Sequence, residues 1–132
     1  MKKHNRCARD ILLLITFIML LPGKLVSAHE WMAPKDAANT PNPISITSES
    51  VRQGKKLYLD NCAGCHGDNV QGMTGEEAGL EKSPPDLRKR LGNHTDGDFF
   101  WKIRHGRGEM PSFEDTLSDE EIWNIINFIK NK

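Results

Sequence analysis

The sequence predicts an all-α domain of three or four short helices around a loop-rich middle. Three observations carry that expectation. Near the C-terminus, Ile122, Ile125, Ile126 and Ile129 follow the i, i+3, i+4, i+7 spacing of one buried helical stripe. Ser118 and Glu121 stand ahead of that stripe as a capping box, with Leu117 and Ile122 placed as a hydrophobic staple. Beyond residue 28, no pair of alternating apolar and polar runs meets at a turn as a β-hairpin would require.

In chain order, a basic stretch with Lys2, Lys3, Arg6 and Arg9 comes first. An apolar run from Ile11 to Leu21, interrupted only by Thr16, follows it, and Val26-Ser27-Ala28 supplies small residues. Basic, apolar and small regions in that order make a secretory signal, with cleavage expected after Ala28. The run is short for a membrane span, so membrane attachment is expected only if the leader stays uncleaved. Cys7 precedes the run, whereas a lipoprotein cysteine would follow it. The leader takes five of the 18 Lys and Arg and one of the 18 Asp and Glu. Residues 29–132 therefore carry 13 basic and 17 acidic side chains, a net charge of −4 that argues against a nucleic-acid partner.

Residues 29–47 contain Pro34, Pro41 and Pro43 without helical or strand periodicity and read as an extended N-terminal arm outside the core. Ser48 is placed to cap a helix through Val51, Tyr58 and Leu59 to the next cysteine. Gly54 lies inside that helix at a cost of about 1 kcal/mol relative to Ala, which suits a close approach by another element. Residues 67–87, rich in Gly and Pro, read as a long loop that wraps a ligand or stays disordered. Thr95 and Asp98 open a third helix carrying Phe99, Phe100 and Ile103, and Gly106 and Gly108 end it.

After removal of the leader only two cysteines remain, in Cys62-Ala63-Gly64-Cys65-His66. This is C-x-x-C-H, the attachment sequence for c-type haem. Two thiols one helical turn apart can each form a thioether with one of two neighbouring vinyl groups, and the adjacent histidine can bind iron from the proximal side. A zinc site would need about four protein ligands, and no second C-x-x-C or paired histidine follows. A thioredoxin-type pair would need a βαβ setting, which is absent from the pattern. A Cys62–Cys65 disulfide would close too small a loop to stabilise much. One covalent haem c is therefore the expected cofactor, and export supplies the compartment its attachment requires.

From about Ser48 to Lys132 the chain resembles a class I cytochrome c of the bacterial monohaem type. The resemblance implies a small cytochrome c fold at 48–132, wrapped around one covalent haem. It makes Cys62 and Cys65 the thioether cysteines and His66 the proximal ligand. Gly106-Arg107-Gly108-Glu109-Met110-Pro111 resembles the glycine-containing stretch ending in Met-Pro, which makes Met110 the sixth ligand. Pro85-Asp86-Leu87 resembles the Pro-x-Leu element near the proximal side, where the Pro85 carbonyl would accept a hydrogen bond from the free ring nitrogen of His66. Gly54 and Tyr58 match the glycine and aromatic that cross the last helix near Ile125 and Phe128. The residues alone offer Met32, Met73, Met110, His94 and His105 as sixth ligands. Met110 is favoured among them because glycines precede it and Pro111 follows, giving a strap rather than a helix face. His94 reads as a loop residue and His105 as an exposed residue at a helix end.

The implied function is one-electron exchange by a periplasmic monomer, between donor and acceptor redox proteins of respiratory or dehydrogenase type. It is not expected to be an enzyme. A haem-based ligand sensor, a peroxidase-like haem, or a cytochrome subunit of a larger oxidoreductase are the alternatives. Lys82, Arg88, Lys89, Arg90, Lys102, Arg104 and Arg107 outnumber Asp86, Asp96 and Asp98 within 82–107. That basic segment would neutralise haem propionates, form a solvated face, or dock an acidic partner.

Overall fold

The computed structural model of the chain describes residues 31–132. The expected signal peptide and its cleavage site lie outside the described residues. Seven helices occur among those residues: α1 Lys35–Ala38, α2 Ser48–Asn61, α3 Ala63–His66, α4 Gly75–Ala78, α5 Leu87–Arg90, α6 Asp96–His105 and α7 Asp119–Lys130. Among the described residues there is no β-strand, only an isolated bridge between Arg107 and Met110.

The crossing of α2 with α7 organises the core. Ser118 accepts from the Glu121 N–H at 3.3 Å, and the Glu121 carboxylate accepts from the Ser118 N–H at 2.8 Å, so the expected capping box closes. Ile122, Ile125, Ile126 and Ile129 are almost wholly buried. At the crossing, a Cβ on Gly54 would run into the Asn124 carbonyl, so the glycine is where the two backbones meet. One turn on, Tyr58 packs on Phe128 with ring centroids 5.1 Å apart. Helix α2 is capped by Thr47 rather than Ser48: the Thr47 hydroxyl accepts from the Ser50 N–H at 3.1 Å. Both hydroxyl residues suit a cap. Ser50, one turn in, is instead buried against α7.

The stretch 31–47 contributes no buried residue of its own but is hydrogen-bonded onto α6 and α7 rather than standing free. Every residue from Ile122 to Ile129 is buried, not one stripe alone, because this stretch covers the far side of α7. Asn42 donates to the Trp123 carbonyl at 3.3 Å and to Asn127 Oδ1 at 2.9 Å. Asn127 donates in turn to the Ile44 carbonyl at 3.0 Å and to Ser50 Oγ at 2.8 Å, and Ser50 Oγ donates to Asn124 Oδ1 at 2.6 Å. Buried amides stay only where they find partners. Here Ser50 of α2, the Asn42 side chain and the Ile44 carbonyl provide them, which is why a segment without hydrophobic periodicity is nevertheless held.

The region expected as one long loop also contains local order. Thr74 and Glu77 form a second capping box for α4, and Asp86 caps α5 by accepting from the Arg88 N–H at 3.0 Å. Helix α6 begins at Thr95 as expected, with its hydroxyl accepting from the Asp98 N–H at 3.2 Å, but the Asp98 carboxylate does not complete a capping box. It turns inward to other partners. Phe100 of α6 stacks on Trp123 of α7 with centroids 4.2 Å apart, closing the third side of the core.

Candidate haem site

Cys62 and His66 bracket a single helical turn. The Cys62 N–H donates to the Tyr58 carbonyl at 2.8 Å, so the motif continues directly from α2. The His66 N–H donates back to the Cys62 carbonyl at 2.9 Å, which stacks the motif on itself. Gly67, at φ +71°, lets the chain leave the turn. Cys62 and Cys65 are both free thiols, each half-buried. Burial, with a smaller contribution from Cys65, pushes the Cys62 thiol up to about 12, so it stays protonated.

His66 is fixed from three directions. The Tyr58 hydroxyl donates to the Gly67 carbonyl at 2.8 Å, anchoring the residue that follows the histidine. The Gly72 N–H donates to the His66 carbonyl at 2.9 Å. Gly72 itself is wedged under the Pro84 and Pro85 carbonyls, which a Cβ would strike. Val70, fully buried at φ +57°, gives its carbonyl to the Leu87 N–H at 2.9 Å and so ties this turn to the start of α5. The Pro84–Leu87 element therefore lies against the turn after His66.

The imidazole carries an unusual feature. Nδ1 is buried with no partner in hydrogen-bond geometry. Burial holds the His66 pKa below its ordinary value, and the Pro85 carbonyl works in the opposite direction. Pro85 thus acts on the ring, but the hydrogen bond expected between them is not closed. A buried orphan nitrogen costs free energy unless the ring has another task.

Met110 sits in a strap between α6 and the turn at Phe113. Gly106 and Gly108 adopt φ +63° and +59°. A Cβ on Gly106 would lie 2.5 Å from Pro111 and 2.6 Å from the Met110 carbonyl, so the strap closes only around glycine. The Arg107 N–H donates to the Met110 carbonyl at 2.9 Å and the Met110 N–H to the Arg107 carbonyl at 3.1 Å. Met110 is half-buried and packs against the core. Met73 lies beside Gly67, next to the histidine, and Met32 is 49% exposed.

The histidines read as alternative ligands are engaged elsewhere. His94 lies in the loop that precedes α6. It is buried, with Nδ1 2.6 Å from Asp98 Oδ2 and 3.0 Å from Lys102 Nζ. His105 is exposed as expected and stacks on Trp101 at 4.7 Å. Among the described residues no three His, Cys, Asp or Glu side chains assemble into a metal site of their own. Two free thiols on one turn, an orphan imidazole beside them and a glycine-hinged methionine strap fit a covalently tethered haem, and they do not fit a closed zinc site.

The basic segment is less of a free field than its composition suggests. Arg88 pairs with Asp86 at 2.9 Å, Lys102 with the buried Asp98, and Arg104 with both Glu114 and Asp119. No helix among the described residues is long and apolar enough to cross a membrane.

Fold and site together are those of a class I monohaem c-type cytochrome, a family whose members bind one haem covalently. The chain belongs to the family described as cytochrome c oxidase, cbb3-type, subunit III, whose model matches residues 49–129. It is 30% identical over 118 residues to the quinohemoprotein alcohol dehydrogenase ADH IIB of Pseudomonas putida, across 87% of this chain but only 16% of that enzyme's length. It is 28% identical over 88 residues to cytochrome c-551 of Bacillus subtilis, across 67% of this chain and 69% of the relative. A chain of the Kuenenia stuttgartiensis reducing HAO-like protein complex aligns with a TM-score of 0.56 at 24% identity, over 67% of this chain and 46% of the other. At that identity the likeness is one of fold.

Several contributing residues are not evident from the motif. Gly72, Val70 and the Tyr58 hydroxyl set the turn after His66, and of these only the glycine carries a local signal, as a turn residue among polar neighbours.

Proposed function

We propose that the protein is an exported one-electron carrier with His66 and Met110 as the two axial ligands and thioethers at Cys62 and Cys65. The observation that carries this reading is the orphan, buried Nδ1 of His66 next to two free thiols on the same turn. When bound, the haem supplies the one-electron exchange. The chain's part is to hold and enclose it. Cys62 and Cys65 would hold it through thioethers and His66 through one ring nitrogen, with the Pro85 carbonyl beside the ring as the acceptor for the other. Gly106 and Gly108 would let the strap present Met110 as the second protein ligand, whose thioether would fill the place a substrate needs. Leu87, half-buried against the core, contributes to the apolar enclosure.

The test is Met110→Ala in the haem-bearing protein. The oxidised wild type is expected to show the weak red-end charge-transfer band of methionine on iron. The variant is expected to keep its colour on a denaturing gel, lose that band and bind carbon monoxide readily. A wild type without the band removes Met110 from the axial position.

Export carries a separate expectation. N-terminal sequencing of the protein recovered from the periplasm should begin at His29. Recovery in the membrane fraction with residues 1–28 attached would make the leader an anchor. A second functional reading, a cytochrome subunit of a larger oxidoreductase, draws on the match to one segment of the quinohemoprotein alcohol dehydrogenase. In either case the partners are redox proteins.

A further inference from the structure

We infer that the stretch from Trp31 to Thr40 is a clamp on the Met110 strap, and that Trp31 is the positioning residue that makes the connection, through Arg107. The inference rests on Met110 as the distal ligand for its functional meaning, but not for the contacts that define it.

The stretch is seated on α6 by three features of different kinds. A Cβ on Gly97 would collide with the Ala37 carbonyl and lie 2.6 Å from that of Thr40, so α1 packs backbone to backbone on α6. The Thr95 hydroxyl donates to the Ala38 carbonyl. Asp98, with no exposed surface, accepts from the Ala33 N–H at one oxygen and from Lys102 Nζ at the other. A buried carboxylate held by these two donors, with His94 Nδ1 also 2.6 Å from the oxygen that Lys102 uses, is costly to unpair, so the register of the stretch is fixed.

That seating delivers Trp31 to one place. Its ring stands edge-on to Trp101, with centroids 6.5 Å apart. Lys102 Nζ lies 5.6 Å from the ring centroid and the Arg107 guanidinium carbon 5.8 Å. Two cations on one indole are an attractive arrangement. Lys102 is already tied to Asp98, so the ring is a fixed surface on which Arg107 rests. Arg107 is the residue that exchanges both backbone hydrogen bonds with Met110. The strap is hinged at glycines on either side of Arg107. Besides these two backbone bonds the strap is tied by the Glu81 N–H, which donates to the Glu109 carboxylate at 3.0 Å on the exposed side, and a segment so lightly held between two glycine hinges opens at low free energy. The contact with Trp31 is the tertiary restraint on the arginine between those hinges.

The experiment compares haem-bearing wild type with Trp31→Ala, Trp31→Phe, Arg107→Gln and the Trp31→Ala/Arg107→Gln pair. One readout is amide hydrogen exchange at Arg107 and Met110, which does not depend on what binds the iron. The other is the charge-transfer band together with the rate of carbon monoxide binding. Trp31→Ala and Arg107→Gln are each expected to speed Met110 exchange about two- to five-fold, the range of one exposed cation–π contact. Each should also speed carbon monoxide binding by a similar factor while the haem stays attached. The pair should be no worse than either single change, and Trp31→Phe should lie close to wild type. Unchanged exchange at Met110, or effects that simply add in the pair, overturns the clamp. A wild type lacking the band while exchange remains coupled overturns Met110 as ligand and leaves the clamp standing.

Discussion

Replacing Cys62 and Cys65 together with Ala is expected to yield a colourless chain that loses most of its folded population. The argument begins with size: a domain of about a hundred residues buries a small core and usually needs a staple. The two cysteines are free thiols, so no disulfide at this motif substitutes. Cys62, Leu87, Leu91, Phe100, Met110 and Phe113 are only partly buried against the core. A tethered haem would complete their burial and give the orphan His66 Nδ1 ring a task. Losing a cross-link and the apolar surface it holds costs on the order of 5 kcal/mol, comparable with the whole stability of a small domain. Each single variant keeps one thioether and should remain coloured on a denaturing gel, with its absorption shifted. The measurement is haem-stained denaturing electrophoresis alongside circular dichroism of the exported protein. A wild type that folds stably without colour would remove haem attachment as the role of the motif.

The helices and the motif were legible because their signals are local. Ser118, Glu121 and the isoleucine stripe specify α7 within twelve residues, and C-x-x-C-H needs only five. The expectation failed where structure depends on partners distant in sequence. Residues 31–47 lack periodicity, yet Asn42, Ile44 and Ala38 satisfy Asn127 and Thr95, more than fifty residues away. A signal was present: Asn124 and Asn127 interrupt an otherwise apolar helix face, and buried amides demand partners. The sequence could not say that α2 would supply them for Asn124 and the proline-rich stretch for Asn127. His94 went unread as a buried residue for a related reason. It precedes α6 in a polar run, and only folding brings it against Asp98 one turn further on. On sequence the basic segment stays open between three roles, since composition counts charges but not pairs. Arg88, Lys102 and Arg104 are each held by a carboxylate, which weakens the long-range field, and the exposed Arg88 and Arg104 pairs add little stability.

Gly54→Val is expected to unfold the domain at moderate temperature although it changes no haem contact. Helix propensity alone predicts the opposite for a milder change, because Ala in a helix interior is favoured over Gly by about 1 kcal/mol. Packing decides the sign. A Cβ at this position would fall on the Asn124 carbonyl and lie 3.0 Å from the Ile125 nitrogen, so the obstacle is backbone that cannot rotate away. Helix α7 cannot retreat either, since every residue from Ile122 to Ile129 is buried on it. Separating α2 from α7 would also open the Tyr58–Phe128 contact at 5.1 Å and the Ser50–Asn124 hydrogen bond at 2.6 Å. Over-packing of this kind costs about 1–3 kcal/mol where side chains can adjust, and more where they cannot. The expected loss is therefore about 3 kcal/mol or more, a fall in Tm of roughly 12–24 °C for a domain of this size. Gly54→Ala should fall in the same direction by a smaller amount. Lys55→Ala, on the exposed side of the same helix, should stay within about 0.5 kcal/mol of wild type. Thermal unfolding of the three haem-bearing variants, followed by circular dichroism, separates the effects. If Gly54→Ala matched or exceeded the wild-type Tm, helix propensity would outweigh the crossing, and the close approach of α2 and α7 could not be what selects glycine.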